Sequence, residues 1–96
     1  MPVNEHTDAI AQERHEDCRR ETLRFLADRQ VVAHHPKTVR RRINEGHEHD
    51  FTDQEVESAL AFLSSAGFVT GIVNPLGATL HYQATAAGVL AHERRG

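Results

Sequence analysis

Phe51-Thr52-Asp53-Gln54-Glu55-Val56 is the stretch that decides where the central helix of this chain begins. The Thr52 side chain can accept a hydrogen bond from a free amide of a first helical turn, and Glu55, three residues on, can accept from the Thr52 amide in return. Phe51 and Val56 bracket this capping box with the apolar pair of a hydrophobic staple. We therefore expect a helix, the third of the chain, to start here.

The residues after the cap predict one face of this helix in the core. Apolar side chains recur at helical spacing at Val56, Ala59, Leu60 and Leu63. Gly67 then supplies the stop signal that commonly follows a helix.

A β-hairpin is predicted next. Segments 68–73 and 79–84 are rich in β-forming residues, and the loop between them contains Pro75 and Gly77. A loop of this kind between two such segments is typical of a hairpin. Residues 85–92 are expected to add a short capped helix.

Upstream, a first helix is predicted from about Asp8 to Arg29. This span has no Gly or Pro, its acids come early and its arginines late, an order that complements the helix dipole. Apolar side chains are sparse before Cys18, so the core is expected to begin near that residue. Residues 1–17 are expected to be an exposed or frayed segment of this helix.

A second helix is predicted to begin at Pro36, a residue suited to the first helical position, and to run to about Glu45. Val39 and Ile43 lie four residues apart and are expected to face the core. Between the first two helices, the stretch 31–33 contains two β-branched residues and is expected to form a short strand.

Taken in order, these elements are those of a winged helix-turn-helix domain. The predicted fold class is mainly α with a small β-hairpin: three helices, a two-stranded wing and a short C-terminal helix. One such domain fits residues 18–92, and residues 93–96 form a charged tail.

Several stretches carry a resemblance to a known family. They are Leu23-Arg24-Phe25-Leu26-Ala27, Val56-Glu57-Ser58-Ala59-Leu60-Ala61-Phe62-Leu63, Ala66-Gly67-Phe68-Val69 and Ala84-Thr85-Ala86-Ala87-Gly88. Over about residues 18–91 the chain resembles the small arsenical-repressor-like winged-helix regulators, including short forms found in Mu-like prophages. The resemblance implies a DNA-binding transcriptional regulator whose third helix enters the major groove.

Charge is distributed in blocks along the chain, although the net charge is only −3. Residues 18–42 carry eight basic and two acidic side chains, and residues 43–66 carry six acids without Lys or Arg. Residues 67–92 carry neither sign. Because nucleic-acid binding depends on where positive charge lies, the block at 18–42 is the place to look for it.

Lys37, Arg40 and Arg41 are the candidate contacts with DNA phosphates. With Val39 and Ile43 turned to the core, these three cations should point largely to solvent. The alternative is a solvated basic face that balances the acids of residues 43–57.

Gln54, Glu57 and Ser58 are the candidate base-reading face of the third helix. Gln54 and Ser58 could contact base edges, whereas a carboxylate at Glu57 would repel phosphates and at best accept from a cytosine amino group. The predicted hairpin has no Lys or Arg with which to contact phosphates. These residues depart from the pattern of a DNA-binding relative.

Two functions follow. The first is a regulator bound to double-stranded DNA, acting as a homodimer because one small module reads few base pairs. The second is a protein–protein interaction module that does not bind DNA, for which Leu76 at the hairpin tip is the candidate contact.

The remaining features predict an intracellular binding protein. Cys18 is the only cysteine, which excludes an internal disulfide and favours a reducing compartment, and its default role is a small core residue. No signal peptide or membrane segment is expected, so the predicted location is cytoplasmic. No nucleophile or phosphate loop stands in a recognisable context, and we expect neither catalysis nor a cofactor.

The loops around the second helix contain several possible metal ligands: His34, His35, His47, His49 and Asp50. These nitrogen and oxygen donors are enough to suggest binding of Zn²⁺ or Ni²⁺. Their spacing matches no closed site, however. The expectation is solvated histidines and no metal site.

Overall fold

A computed structural model describes the backbone of residues 5–46 and 48–95, and the side chains of residues 9–46 and 48–94. The described elements are, in order, α1 (Glu5–Asp28), α2 (Pro36–Ile43), α3 (Asp53–Ser65), β1 (Val69–Val73), β2 (Leu80–Ala84) and α4 (Ala86–Arg95). The prediction of a mainly α fold with a small β-hairpin is confirmed. The order of elements is compatible with a winged-helix-like domain.

The core begins at Cys18 on α1, as predicted, and continues through Thr22 and Leu26, each almost completely buried. Burial raises the pKa of the Cys18 thiol to about 11, which keeps it protonated near neutral pH. Cys18 is therefore a packed core residue, as expected. α1 packs along α3, whose apolar face Val56, Ala59, Leu60 and Leu63 is buried as expected.

The expected strand at 31–33 is wrong. The chain turns after α1 through hydrogen bonds from the amides of Arg29 and Val32, and this turn takes up the residues that were expected to pair. A single antiparallel bridge forms instead between His34 and Tyr82, with both N···O distances 2.8 Å.

α2 begins at Pro36 as predicted, and His35 caps it by accepting from the Lys37 amide. The helix ends at Ile43, two residues before the predicted end. Asn44 is the reason, because its side chain binds both backbone groups of Phe51, accepting from N–H at 3.1 Å and donating to C=O at 3.0 Å. These two hydrogen bonds close the loop between α2 and α3.

The capping box that starts α3 is confirmed: Thr52 accepts from the Glu55 amide at 3.1 Å, and Glu55 accepts from the Thr52 amide at 2.9 Å. At the other end Gly67 adopts a φ of 82°, a conformation that favours glycine. The amide of Phe68 then bonds the carbonyl of Leu63, which completes a Schellman motif.

β1 and β2 form the predicted antiparallel hairpin, with Val69 opposite Ala84 at its buried base and Val73 opposite Leu80 near its tip. α4 follows at once and includes residues from the segment predicted as a charged tail. None of the helices in the described part of the chain combines the length and apolar character needed to span a membrane.

Candidate nucleic-acid interface

α2 and the first turn of α3 form one surface, because the two helices pack together and an ion pair joins them. Arg40 Nε lies 2.5 Å from a carboxylate oxygen of Asp53. Arg40 is half-buried in this arrangement. One of the three predicted phosphate contacts therefore already has an anionic partner within the domain.

Lys37 and Arg41, the other two predicted phosphate contacts, are exposed. They lie four residues apart on α2, so they project from the same side of the helix. Within the described side chains, neither has a carboxylate within 4 Å. Two cations one turn apart can contact successive phosphates of a nucleic-acid backbone.

The candidate base-reading residues Gln54, Glu57 and Ser58 are all exposed on α3. Structure and sequence agree that this face is accessible, and it carries the negative charge of Glu57 and no cation. The positive charge of this surface therefore comes from α2.

The first turn of α3 is also held from α1, by a residue in the segment predicted to be exposed or frayed. Arg14 donates to both carboxylate oxygens of Glu55, at 2.5 and 2.9 Å, and pairs with Asp50 at 3.1 Å. The guanidinium holds the pKa of Glu55 at about 2, and the same carboxylates raise the pKa of Arg14. This bidentate pair fixes α3 relative to α1.

Sequence reasoning missed both Arg14 and Asn44 as positioning residues. Arg14 and Glu55 are 41 residues apart, and no local pattern links them. Asn44 carries a signal in principle, since Asn is favoured where a helix ends and a loop must be closed.

The hairpin tip contributes no charge. Leu76 is 96% exposed, which confirms its predicted exposure, and Val73 beside it is 60% exposed. Asn74 shapes the turn by accepting from the Leu76 amide at 2.9 Å. The tip is thus an uncharged apolar projection, in contrast to the charged surface of α2 and α3.

The loop histidines do not converge. His34 stacks edge-on against Phe25 at 4.9 Å between ring centroids, whereas His49 lies flat on Phe51 at 4.9 Å and 3.3 Å from a Glu21 oxygen. His47 lies outside the described residues. Among the residues that are described, no three His, Cys, Asp or Glu side chains are grouped to hold a metal ion.

His34 has a distinct environment. Its Nε2 is buried with no hydrogen-bond partner among the described groups. Burial, followed by the positive charges of Arg29 and Arg42, lowers the pKa of His34. The position of His34, where the chain enters α2, therefore disfavours its protonated form.

Comparison with known proteins gives a relation of structure. No protein-family model matches the chain, and no curated protein matches it. Among solved structures, the chain is similar to a transcriptional regulator from Clostridium thermocellum, with a TM-score of 0.71 at 14% sequence identity, covering 98% of this chain and 84% of that one. At this identity, the similarity shows that the two chains share a fold.

Proposed function

We propose that this chain is a DNA-binding transcriptional regulator of the winged-helix type, without catalytic activity, and that α2 supplies its phosphate contacts. The observation that carries the proposal is the exposed pair Lys37 and Arg41, one turn apart and without a carboxylate partner among the described residues. The pair lies on the helix that packs against α3 and is joined to its first turn by Arg40 and Asp53. The fold shared with a transcriptional regulator supports the same function.

Arg40 has a different part in this proposal. Its ion pair with Asp53 ties α2 to α3, so a phosphate contact by Arg40 requires that pair to be exchanged. Lys37 and Arg41 need no such exchange. We therefore expect the largest phosphate contribution from these two residues, with Gln54 and Ser58 exposed for contact with base edges.

A salt titration of binding to mixed duplex DNA tests the proposal. The logarithm of the binding constant falls against the logarithm of salt concentration with a slope of about −0.9 per phosphate engaged. Lys37→Gln and Arg41→Gln should each weaken binding to every duplex and flatten the slope by about one unit. Arg94→Gln, which removes one cation from an exposed position on α4, is the matched control and should leave the slope unchanged.

Glu57→Lys tests the geometry from the opposite direction. It replaces repulsion by attraction on the exposed face of α3, so it should strengthen non-specific binding. If Arg94→Gln weakens binding as much as Lys37→Gln, only net charge matters and the α2 surface is not the site. Strong binding that survives the loss of Lys37, Arg40 and Arg41 together would also contradict the proposal.

A protein-interaction module is the second candidate, and the hairpin favours it. Leu76 projects from a segment, residues 67–92, that has no charged Asp, Glu, Lys or Arg side chain to repel an apolar partner. If neither the unmodified protein nor Glu57→Lys binds duplex DNA at low salt, this candidate replaces the first.

A further inference from the structure

A single pair of backbone hydrogen bonds joins the hairpin to the segment that enters α2. The amides of His34 and Tyr82 each donate to the carbonyl of the other residue, at 2.8 Å, and among the described residues no neighbouring pair extends this contact into a strand. We call these two bonds the His34 bridge. Because α2 packs mainly against α1 and α3, the bridge is a direct link between the hairpin and the start of α2.

The His34 bridge has little support from the residues that precede it. Val31 and Val32 are 88% and 48% exposed, so the chain that leads to the bridge is only weakly packed. Segments with few packed side chains open at the lowest free energy, without unfolding of the core. On the other side of the bridge, His35 caps α2 by accepting from the Lys37 amide at 3.0 Å. Opening of the bridge therefore reaches the first turn of α2.

The His34 ring is surrounded by positive charge. It lies edge-on against Phe25 at 4.9 Å, and the Arg29 guanidinium lies 4.2 Å from the centroid of the same Phe25 ring. Arg29 also donates to the Phe25 carbonyl at 3.3 Å, which fixes its charge near His34. The charged groups that act on His34 are Arg29 of α1, Arg42 of α2 and His81 of β2, and Tyr82 is its titratable partner in the bridge.

No group in the described structure compensates a positive charge on His34. A protonated imidazole carries N–H on both ring nitrogens, yet the Nε2 atom of His34 is buried without a hydrogen-bond partner among the described groups. Carboxylates lie within 4 Å of two described histidines, His49 and His92, but not of His34. Because a buried charge without a partner is costly, the protonated ring is more stable in water than beside Phe25.

We infer that His34 is a pH-sensitive switch that joins the hairpin to the start of α2 near neutral pH and releases it in acid. With an uncharged ring, His34 stays against Phe25 and the bridge is closed. A proton draws the ring towards water, and the two bonds to Tyr82 open because the same residue supplies the ring and the backbone of the bridge.

The switch belongs to the fold and acts without DNA, and only its consequence for binding rests on the proposed function. Lys37, one of the proposed phosphate contacts, follows His34 by three residues, and its amide is held by His35. Release of the bridge therefore changes how Lys37 is placed relative to the hairpin. A protein that fails to bind DNA would leave the switch itself open to the test below.

Amide hydrogen exchange, followed by NMR without DNA between about pH 7.5 and about pH 5, tests the inference. The amides of His34 and Tyr82 report on the bridge, because each donates one of its bonds. After correction for the intrinsic dependence of exchange on pH, we expect both amides to lose protection as the pH falls. The Phe68 amide, which donates to the Leu63 carbonyl at 2.9 Å, reports on the core and should keep its protection.

Two variants assign the loss of protection to His34. His34→Gln removes the titrating ring, so protection of the Tyr82 amide should no longer depend on pH in this range. Arg42→Gln, at an exposed site, removes one of the cations that act on His34 and makes a proton less costly in the closed state, so the loss in acid should be smaller. Arg94→Gln removes a cation that does not act on His34 and should leave the loss unchanged.

His34 and Tyr82 amides that keep their protection at the lowest pH would overturn the inference, because the ring would then reach water by side-chain rotation alone. An equal loss at Phe68 would overturn it as well, since the whole domain would be unfolding. If His34→Gln is unfolded, Arg42→Gln decides: a loss in acid as large as that of the unmodified protein would contradict the switch.

Discussion

The two ends of α3 are held by opposite kinds of chemistry. At its first turn, Glu55 accepts from Thr52 and from Arg14, and Arg14 also pairs with Asp50. Beyond its last turn, the hydrogen bonds to the start of α4 join uncharged groups: the amide of Thr85 bonds the Phe68 carbonyl at 3.0 Å, and the Thr85 hydroxyl donates to the Gly67 carbonyl at 2.6 Å. The charged contact at this end is Arg19, whose guanidinium lies 3.8 Å from the centroid of the Phe62 ring.

We call the contacts at the first turn of α3 the charged junction, and the contacts between its other end and the start of α4 the uncharged junction. The uncharged junction is sterically tight at Gly88. A Cβ at this position would lie 1.9 Å from the Phe68 carbonyl oxygen, so α4 can approach the end of α3 only with glycine there. The contacts that hold the first turn of α3 therefore depend on pH and salt, whereas the close packing between the other end of α3 and α4 depends on shape. The surfaces divide in the same way, with charges on α2 and α3 and none on the hairpin.

The largest expected effect is at the uncharged junction. Gly88→Ala forces the backbone of α4 or of Phe68 to move, and should destabilise the domain by about 3 kcal/mol, the upper end for overpacking. Gly77→Ala is the matched control, because a Cβ there meets nothing within 4 Å. Urea denaturation measures both, and a Gly88→Ala midpoint equal to that of Gly77→Ala would mean the approach is not tight.

The charged junction should respond to acid through Glu55. Because its pKa is about 2 in the folded protein, below the usual value of 4.5, its contribution is complete above about pH 4.5 and is lost as the pH falls toward 2. Glu55→Gln keeps a capping side chain and removes the charge, so it should cost about 1–2 kcal/mol at pH 7 and progressively less below pH 4.5. Glu57→Gln, an exposed neighbour, is the control for a general effect of charge.

A smaller effect is expected from the cap itself. Thr52→Ala removes the acceptor for the Glu55 amide and should destabilise the domain by about 1 kcal/mol, while Thr52→Ser should retain most of the stability. Thermal melts of the two variants compare them directly. Equal melting temperatures would show that the hydroxyl adds nothing to the cap.

The smallest effect is expected at His34, whose folded pKa lies below 6.5. The unfolded chain then binds a proton that the folded chain excludes, so this residue contributes stability above about pH 6.5 that is lost as the pH falls through the folded pKa. His34→Gln should make the fall in stability between about pH 7 and about pH 5 shallower, whatever its cost at neutral pH. An unchanged slope in His34→Gln would contradict the expected exclusion of the proton.

The sequence predicts some elements of this fold and their ends correctly, and others incorrectly, even where they are close together in the chain. The Thr52–Glu55 capping box, the stop at Gly67 and the hairpin on either side of Pro75 were all predictable. The end of α2 was predicted two residues late, because the bond from Asn44 to Phe51 depends on how the loop closes. The strand expected at 31–33 is replaced by one bridge at His34, since β-branched residues favour a strand only where a partner strand is in register.

The candidate site shows the same division. The exposure of Lys37, Arg41 and Leu76 followed from the helical face and the turn. The ion pair between Arg40 and Asp53 could not be predicted from the sequence. This pair changes which of the cations on α2 we expect to contact phosphate.

The identity and order of the main elements follow from the sequence, because caps, turn residues and apolar periodicity act within a few residues of one another. The contacts between elements depend on the tertiary structure: Arg14 with Glu55 across 41 residues, the close approach of Gly88 to Phe68, and the groove between α1, the end of α3 and α4. Such contacts depend on the packing angle and rotation of whole helices, which are set by the combined burial of many side chains. A charge read from the sequence therefore indicates what a residue can bind, and the packed fold selects which partner it meets.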